Sequence, residues 1–420
     1  MLSQERNEML TRVGPGTKNG ELMRRYWHPV ALASDLDEWP SKAVRLLGED
    51  LVLFKDGNGN LGLVERKCPH RGASLAYGVV EEEGLRCGYH GWLWDNEGSC
   101  LHQPGETDKS GFKDRVRLKA YKAEEMGGLI WAYMGPEPAP LLPRFDIFVR
   151  DGIRDIGHCM IPCNFVQIME NSVDPHHVEW LHGRYFRFIN ERSGLESPGF
   201  FQQKHQKIAF DLFEHGIIKR RLLEGQSEDV EDWKTGHPLV FPNMLYVGGG
   251  GLYQAQIRVP VDDTTTWHLF YTVHAPEGVD LPEQDKIPAY DFPYMDDNGE
   301  HIVDFVEGQD IMAWVTQGAV ADRTTETLGK SDMGVARLRR LFFEEMNKVH
   351  KGEDPLGTVR DAAANKVIVL PIEKKKMGHG ADFARDWIES GNTRHSPQKD
   401  LLLDLYEEAN KAQTSETANV

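Results

Sequence analysis

The chain is poor in cysteine, in positive charge and in long apolar runs, and each shortage excludes something. Five cysteines in 420 residues, an odd number, do not make a disulfide framework, which leaves free thiols or metal ligation. No apolar run is long enough to span a bilayer, and the start, Met1-Leu-Ser-Gln-Glu-Arg-Asn, lacks the apolar core of a signal peptide. A cytoplasmic protein is therefore expected. With 48 Lys and Arg against 66 Asp and Glu, a formal charge of -18, the chain is unsuited to neutralising phosphates, so no nucleic-acid partner is expected. What remains is ordinary: 40% hydrophobic residues, enough for a substantial core and for two domains.

Residues 1–40 read as an N-terminal arm with a packing or subunit-contact role. From Ala43 short apolar runs alternate with turns such as Asp56-Gly-Asn-Gly-Asn60, the pattern of hairpins, and residues 41–140 read as a small all-β unit. Inside it lie Cys68-Pro-His70 and Cys87-Gly-Tyr-His90, each offering one thiolate and one imidazole from a tight loop. Three readings stand: a Cys2His2 zinc site, four unrelated core residues, or a Rieske [2Fe-2S] cluster, in which one iron takes two cysteines and the other two histidines. The arrangement of Cys-x-His and Cys-x-x-His on two loops of a β unit favours the cluster. Cys100 has no histidine at ligand spacing and reads as a core thiol. The proline-rich stretch 135–144 reads as a linker.

The middle of the chain holds Asn171-Ser-Val-Asp174-Pro-His176-His177-Val-Glu-Trp-Leu-His182. Residues 163–171 have the spacing of a helix with one buried face, and Asp174-Pro175 reads as a helix restart, acid at the cap and proline in the first turn. Two imidazoles and one carboxylate would leave coordination positions open for dioxygen on a non-haem iron. On a regular helix, however, His177 and His182 stand about 140° apart, so the backbone must deviate if both bind one ion. His176, adjacent to His177, points elsewhere and reads as structural or supporting. A carboxylate is expected from the helical segment 302–317. There Asp310 falls on the apolar arc, Glu307 at its edge and Asp304 nearly opposite; a carboxylate on an apolar face needs a cation, which selects Asp310. Gly248 to Gly251 lacks the context of a phosphate loop and reads as a bend or pocket edge.

Asp174-x-x-His177-x-x-x-x-His182 after a Cys-His pair of loops resembles the Rieske non-haem iron aromatic-ring oxygenases, oxygenase (alpha) subunit. Gly14-Pro-Gly, Arg24-Arg-Tyr-Trp-His-Pro and Ala321-Asp-Arg-Thr resemble the phthalate dioxygenase-like branch in particular. The resemblance implies an α+β chain, with an all-β Rieske domain at 41–140, a helix-grip-like catalytic domain with a twisted antiparallel sheet at 141–360, and a helical extension and tail at 361–420; the strongly charged end, closing on Thr-Ser-Glu-Thr-Ala-Asn-Val, reads by itself as disordered over its last dozen residues. It implies a Rieske [2Fe-2S] cluster on Cys68, His70, Cys87 and His90, and mononuclear Fe(II) on His177, His182 and Asp310. Asp174 would bridge His177 to His90 of a neighbouring subunit in a homo-oligomer, most simply a trimer or stacked trimers. With no dinucleotide-binding pattern and no second cysteine cluster here, the electrons come from a separate reductase, in this branch one with flavin and a plant-type iron-sulfur centre drawing on NAD(P)H. The implied reaction is O2-dependent oxygenation of an aromatic carboxylate: hydroxylation, cis-dihydroxylation or O-demethylation. Arg187, Arg220 and Arg258 are candidate carboxylate partners. The alternatives are a stand-alone Rieske electron-transfer protein, which leaves the second ligand set without purpose, and a zinc-stapled binding protein, which explains only the first.

Overall fold

The short apolar runs and glycine-rich turns that follow the arm fold into two antiparallel sheets in the computed structural model, which describes residues 1–107, 109, 111–194, 201–373 and 380–417. A six-stranded sheet runs Trp27–Leu32, Leu129–Tyr133, Ala120–Met126, Leu61–Glu65, Glu49–Lys55, Ser41–Leu46. A four-stranded sheet of shorter strands, from Val79–Glu81 to Cys100–His102, stands beside it. In the Asp56–Asn60 turn the Asp56 carboxylate accepts the N–H groups of Asn58 and Asn60, at 3.0 and 2.8 Å. Gly59 takes φ +86° there, a conformation that costs glycine little. Val52, Phe54, Val64, Leu75, Leu85 and Trp94 form the core between the sheets, and Cys68, Cys87 and Cys100 belong to it.

The arm is less separate than its sequence suggests. Trp27–Leu32 is fully buried and pairs along Leu129–Tyr133, completing the six-stranded sheet. Arg24 is buried; it donates to the carbonyls of Val13, Gly20 and Leu47 and pairs with Glu49 at 2.8 Å. His28 joins the Met23 carbonyl to Asn243 of the second unit. The Arg24-to-Pro29 motif is thus a clamp between arm and body.

The second unit is an eight-stranded sheet ordered His205–Phe213, Gly216–Leu223, His237–Val240, Met244–Gly249, Leu252–Pro260, Thr266–His274, Ile153–Ile161, Ala289–Asp291. It is antiparallel except for the last strand, which runs parallel to Ile153–Ile161. The four glycines at 248–251 close a hairpin: Gly250 and Gly251, at φ +62° and +89°, connect Met244–Gly249 to Leu252–Pro260, the two positive φ values a tight hairpin requires. Helix Phe165–Val173 starts at Asn164, whose side chain accepts the Val166 N–H, an N-cap. It packs on the sheet and on helix Met333–His350. Helices Gly380–Ser390 and Lys399–Thr417 add a smaller core of Phe383, Trp387, Leu402 and Tyr406. Helix continues to Thr417 where disorder was expected; residues 418–420 lie outside the described part. The α+β class expected from sequence is the one observed. All five cysteines are free and buried, and among the described residues no helix is long and apolar enough to cross a membrane.

Candidate metal centres

Two loops at one end of the first unit carry Cys68, His70, Cys87 and His90, and they are built alike. In one the Gly72 N–H returns to the Cys68 carbonyl at 2.8 Å; in the other the Gly91 N–H returns to the Cys87 carbonyl at 3.0 Å. Both glycines sit near φ +75° (+75° and +74°), so each loop turns sharply just past its histidine. The sulfurs point inward: both cysteines are buried, and burial beside the Cys87 thiol pushes Cys68 up to about 11. The imidazoles point outward, with ring centroids 4.4 Å apart, and His70 stacks on Trp92 at 4.6 Å. Two buried soft donors opposite two nitrogen donors at the surface suit a cluster with one sulfur-ligated and one nitrogen-ligated iron. A buried thiol that resists ionisation, as Cys68 does, is stabilised when metal takes it as thiolate. Cys100 stays in the core with its Sγ near the His102 carbonyl, as its lack of a partner histidine suggests.

The second centre forms where helix Phe165–Val173 ends. Asp174 leaves the helix, and its carboxylate accepts the N–H groups of His176 and His177 at 2.9 and 3.0 Å, so it is a cap as well as an acid. From Val178 to Tyr185 the chain winds as a π-helix. In that wider turn hydrogen bonds run from i to i+5, so residues five apart come round to nearly the same side, and His177 and His182 are five apart. The 140° separation of a regular helix disappears, and the two rings face each other edge-on with centroids 5.3 Å apart. Asp310, from helix Val306–Val315, supplies the third group: its Oδ1 lies 3.2 Å from His182 Nε2 and 3.8 Å from His177 Nε2. One ligand atom from each of the three lies within 4.8 Å of the others.

The other ring nitrogens are held from outside. His182 Nδ1 meets Gln309 Oε1 at 2.9 Å, which makes Nδ1 a donor and turns Nε2 toward Asp310. His177 Nδ1 lies 3.4 Å from Asp174 Oδ2. Two imidazoles converging on a largely buried carboxylate call for positive charge among them, a proton or a metal ion, and an outer hydrogen bond that fixes the tautomer, as Gln309 gives His182, is what metal-binding histidines have. The donor set therefore fits a divalent iron with open positions. Burial opposes ionisation of Asp310, but the facing imidazoles and Arg258 hold it below the ordinary carboxylate value. Burial likewise opposes ionisation of Asp174, and the contacts with His177 and the two N–H groups overcome it, bringing it to about 2.

The competing acids go elsewhere. Asp304 is half exposed and pairs with Arg394 at 2.7 Å. Glu307 is buried and accepts the Asn392 N–H; burial and then Asp310 raise it to about 8, so it stays protonated at neutral pH.

Beside the triad opens a cavity of about 580 Å³, bounded by Phe201, Leu245, Val247, Phe383 and Trp387, and on its polar side by Lys219, Arg221 and Arg258. Of the three arginines proposed from sequence, only Arg258 is here. Arg187 is exposed and 3.8 Å from Glu191. Arg220 turns to the opposite face of its strand, pairing with Asp211 and the carbonyls of Trp233 and Lys234. Its neighbours Lys219 and Arg221 point inward, since side chains alternate along a strand; only the sheet's orientation decides which set is buried. Gln309, Phe383 and Trp387 carried no sequence signal: Gln309 acts across space, and the two aromatics arrive from a helix far along the chain.

Comparison with known proteins agrees with this architecture. A family profile described as "Rieske [2Fe-2S] domain" matches residues 26–122, and one described as "LigXa C-terminal domain like" matches residues 291–384. The chain is 43% identical to the 5,5'-dehydrodivanillate O-demethylase oxygenase subunit of a Sphingobium species, over 94% of this chain and 92% of that one. It is 32% identical to the phthalate 4,5-dioxygenase oxygenase subunit of Pseudomonas putida, over 87% and 91%. Among solved structures, NdmA of Pseudomonas putida CBB5 has the same fold, with a TM-score of 0.57 at 21% identity over 82% of this chain and 97% of that one. A Rieske unit joined to a helix-backed catalytic sheet defines the class: a Rieske-type oxygenase, with a [2Fe-2S] cluster and a mononuclear iron as its cofactors. Within that class the chain belongs to the phthalate dioxygenase-like family of oxygenase subunits. As an oxygenase subunit it takes its electrons from a separate reductase or ferredoxin component.

Proposed function

We propose that this subunit oxygenates an aromatic carboxylate, with His177, His182 and Asp310 holding the mononuclear iron and Cys68, His70, Cys87 and His90 the cluster. The observation that carries the substrate class is Arg258. It is 1% exposed, it donates only to the Gln256 carbonyl and side chain, and among the described residues no carboxylate lies within ion-pair distance of it. Burial brings it down to about 9, still above neutral pH. A buried cation whose acting carboxylate, Asp310, stands beyond ion-pair distance is costly, and a substrate carboxylate entering the cavity would relieve that cost. Arg221 is already paired with Glu373 at 3.0 Å, and Lys219 donates to the Ser172 carbonyl at 2.8 Å; both add positive field. Phe383 and Trp387 would cover the aromatic ring and exclude water.

When bound, the iron and cluster supply dioxygen activation and single electrons. The residues around them orient and exclude: Gln309 and Asp174 fix the two imidazoles, Arg258 sets the carboxylate end of the substrate, and Glu307 retains its proton so that Asp310 is the one anion at the triad. The 43% identity over nearly the whole chain with an O-demethylase subunit favours O-demethylation of a methoxylated aromatic acid: methyl ether, O2, two electrons and two protons yield the phenol, formaldehyde and water.

Further features belong to the same reading. Among the described residues no hydrogen bond joins His90 to Asp174 within the chain; the charged groups acting on His90 are His70 and Arg71. Asp174 would then receive the cluster edge of a neighbouring subunit, which makes a ring, most simply a trimer. The partner would be a flavin and iron-sulfur reductase, and the location the cytoplasm. The domains would be 41–140 together with strand Trp27–Leu32, 141–360, and 361–420. Product analysis under labelled dioxygen, with the reductase and a panel of methoxylated and unsubstituted aromatic acids, tests the proposal. Formaldehyde from a methoxylated acid is the expected result. A labelled cis-diol would replace O-demethylation by dioxygenation, and oxidation of neutral aromatics in preference to acids would overturn the role of Arg258.

A further inference from the structure

A second group of donors lies one residue away from the triad and faces a different direction. His176 precedes His177, Glu179 follows within the π-helical turn, and His205 opens the strand His205–Phe213. One ligand atom from each of these three lies within 4.8 Å of the others. The ring centroids of His176 and His205 are 5.5 Å apart, and His205 Nδ1 is 3.8 Å from Glu179 Oε2. The His205 side chain is 1% exposed, yet neither of its ring nitrogens has a hydrogen-bond partner. A buried imidazole left unpartnered on both sides is costly. Glu179 is only partly engaged, accepting the His205 backbone N–H at 3.3 Å and standing 3.7 Å from Arg184. The nearby cations are already committed: Arg221 to Glu373 and Lys219 to the Ser172 carbonyl.

We infer that His176, Glu179 and His205 form a second metal site, separate from the mononuclear iron, that takes a divalent zinc-type cation. Two imidazoles and a carboxylate match the preferences of zinc, which brings no redox chemistry. The ion would satisfy His205 and tie the first residue of the outermost strand to the turn that presents His177. The site requires nothing of the substrate, so it stands whatever the enzyme oxidises.

The test is metal counting on the full-length, iron-loaded enzyme incubated with Zn2+ and desalted. The expected result is one zinc per chain with the iron content unchanged, lost in both His205→Ala and Glu179→Gln while these keep their irons and the Rieske absorption. Co2+ in place of zinc should give visible bands of a four- or five-coordinate site in the wild type alone. Absence of zinc after desalting, zinc gained at the expense of iron, or zinc retained by both variants would each overturn the inference.

Discussion

Gln309 hydrogen-bonds the ring nitrogen of His182 that faces away from the proposed iron position, and Asp174 stands 3.4 Å from the corresponding nitrogen of His177. Hydrogen bonds of this kind are worth roughly 10–100-fold in metal affinity. Gln309→Leu should therefore release mononuclear iron to a chelator about 10–100-fold more readily than wild type while the cluster absorption is unchanged; equal retention would show that Gln309 has no part in holding the metal. Of the residues proposed for the site, His177, His182 and Asp174 come from the family resemblance and Asp310 from an acid on an apolar face, whereas Gln309 carries no sequence signal, because its partner lies 127 positions away. A buried histidine outside the site makes a pH prediction. His28 is lowered from the ordinary 6.5 to about 4, chiefly by burial. The unfolded chain therefore binds the proton more tightly, and the stability His28 contributes is complete above pH 6.5 and lost as pH falls toward 4. Chemical denaturation at pH 7 and pH 5 should show about 2 kcal/mol lost through this residue, with the loss reduced in His28→Gln; an undiminished loss would place the acid sensitivity elsewhere.

Among the elements, the π-helical turn Val178–Tyr185 decides whether there is a site at all. Regular helix geometry keeps His177 and His182 apart, and no composition or periodicity marks the place where a helix widens, so the need for a deviation was visible in the sequence but its form was not. The helix before it is anchored by a buried ionic network. Glu170 accepts from Arg323 at 2.7 and 2.8 Å and from Arg339 at 2.6 Å; Arg323 also donates to Asn7, and Arg339 also pairs with Glu326. This gives the Ala321-Asp-Arg-Thr motif a structural purpose, joining the N-terminal helix, Phe165–Val173 and Met333–His350. Removing one partner of such a network leaves charge buried without compensation, at a cost of about 3–5 kcal/mol. Glu170→Ala should lower the denaturation midpoint accordingly, and a change under about 1 kcal/mol would mean that the arginines find other partners. Strands were legible by their turns and alternation, but their facing was not, which is why Arg220 stood in for Arg221.

At the scale of the whole molecule, the two units share a continuous core that runs from Leu51 and Leu63 through Trp131 and Phe148 to Tyr246 and Leu269, so the cluster and the triad are held at fixed positions within one chain. Electron transfer between subunits then predicts complementation. Co-assembling Asp310→Ala subunits with His90→Ala subunits, each inactive alone, should restore part of the turnover; no recovery in a verified mixed oligomer would mean that each chain uses its own cluster. The class of protein was legible in sequence because its candidate ligands sit mostly in short local patterns, while the cavity, assembled from many segments far apart in the chain, was not. The central claim is that each chain holds a two-iron cluster and, separately, one iron on His177, His182 and Asp310. Iron quantitation with EPR on Asp310→Ala tests it most directly: the account predicts a fall from about three irons to about two per chain, an intact Rieske signal and no turnover, and an unchanged iron count with retained activity would contradict it.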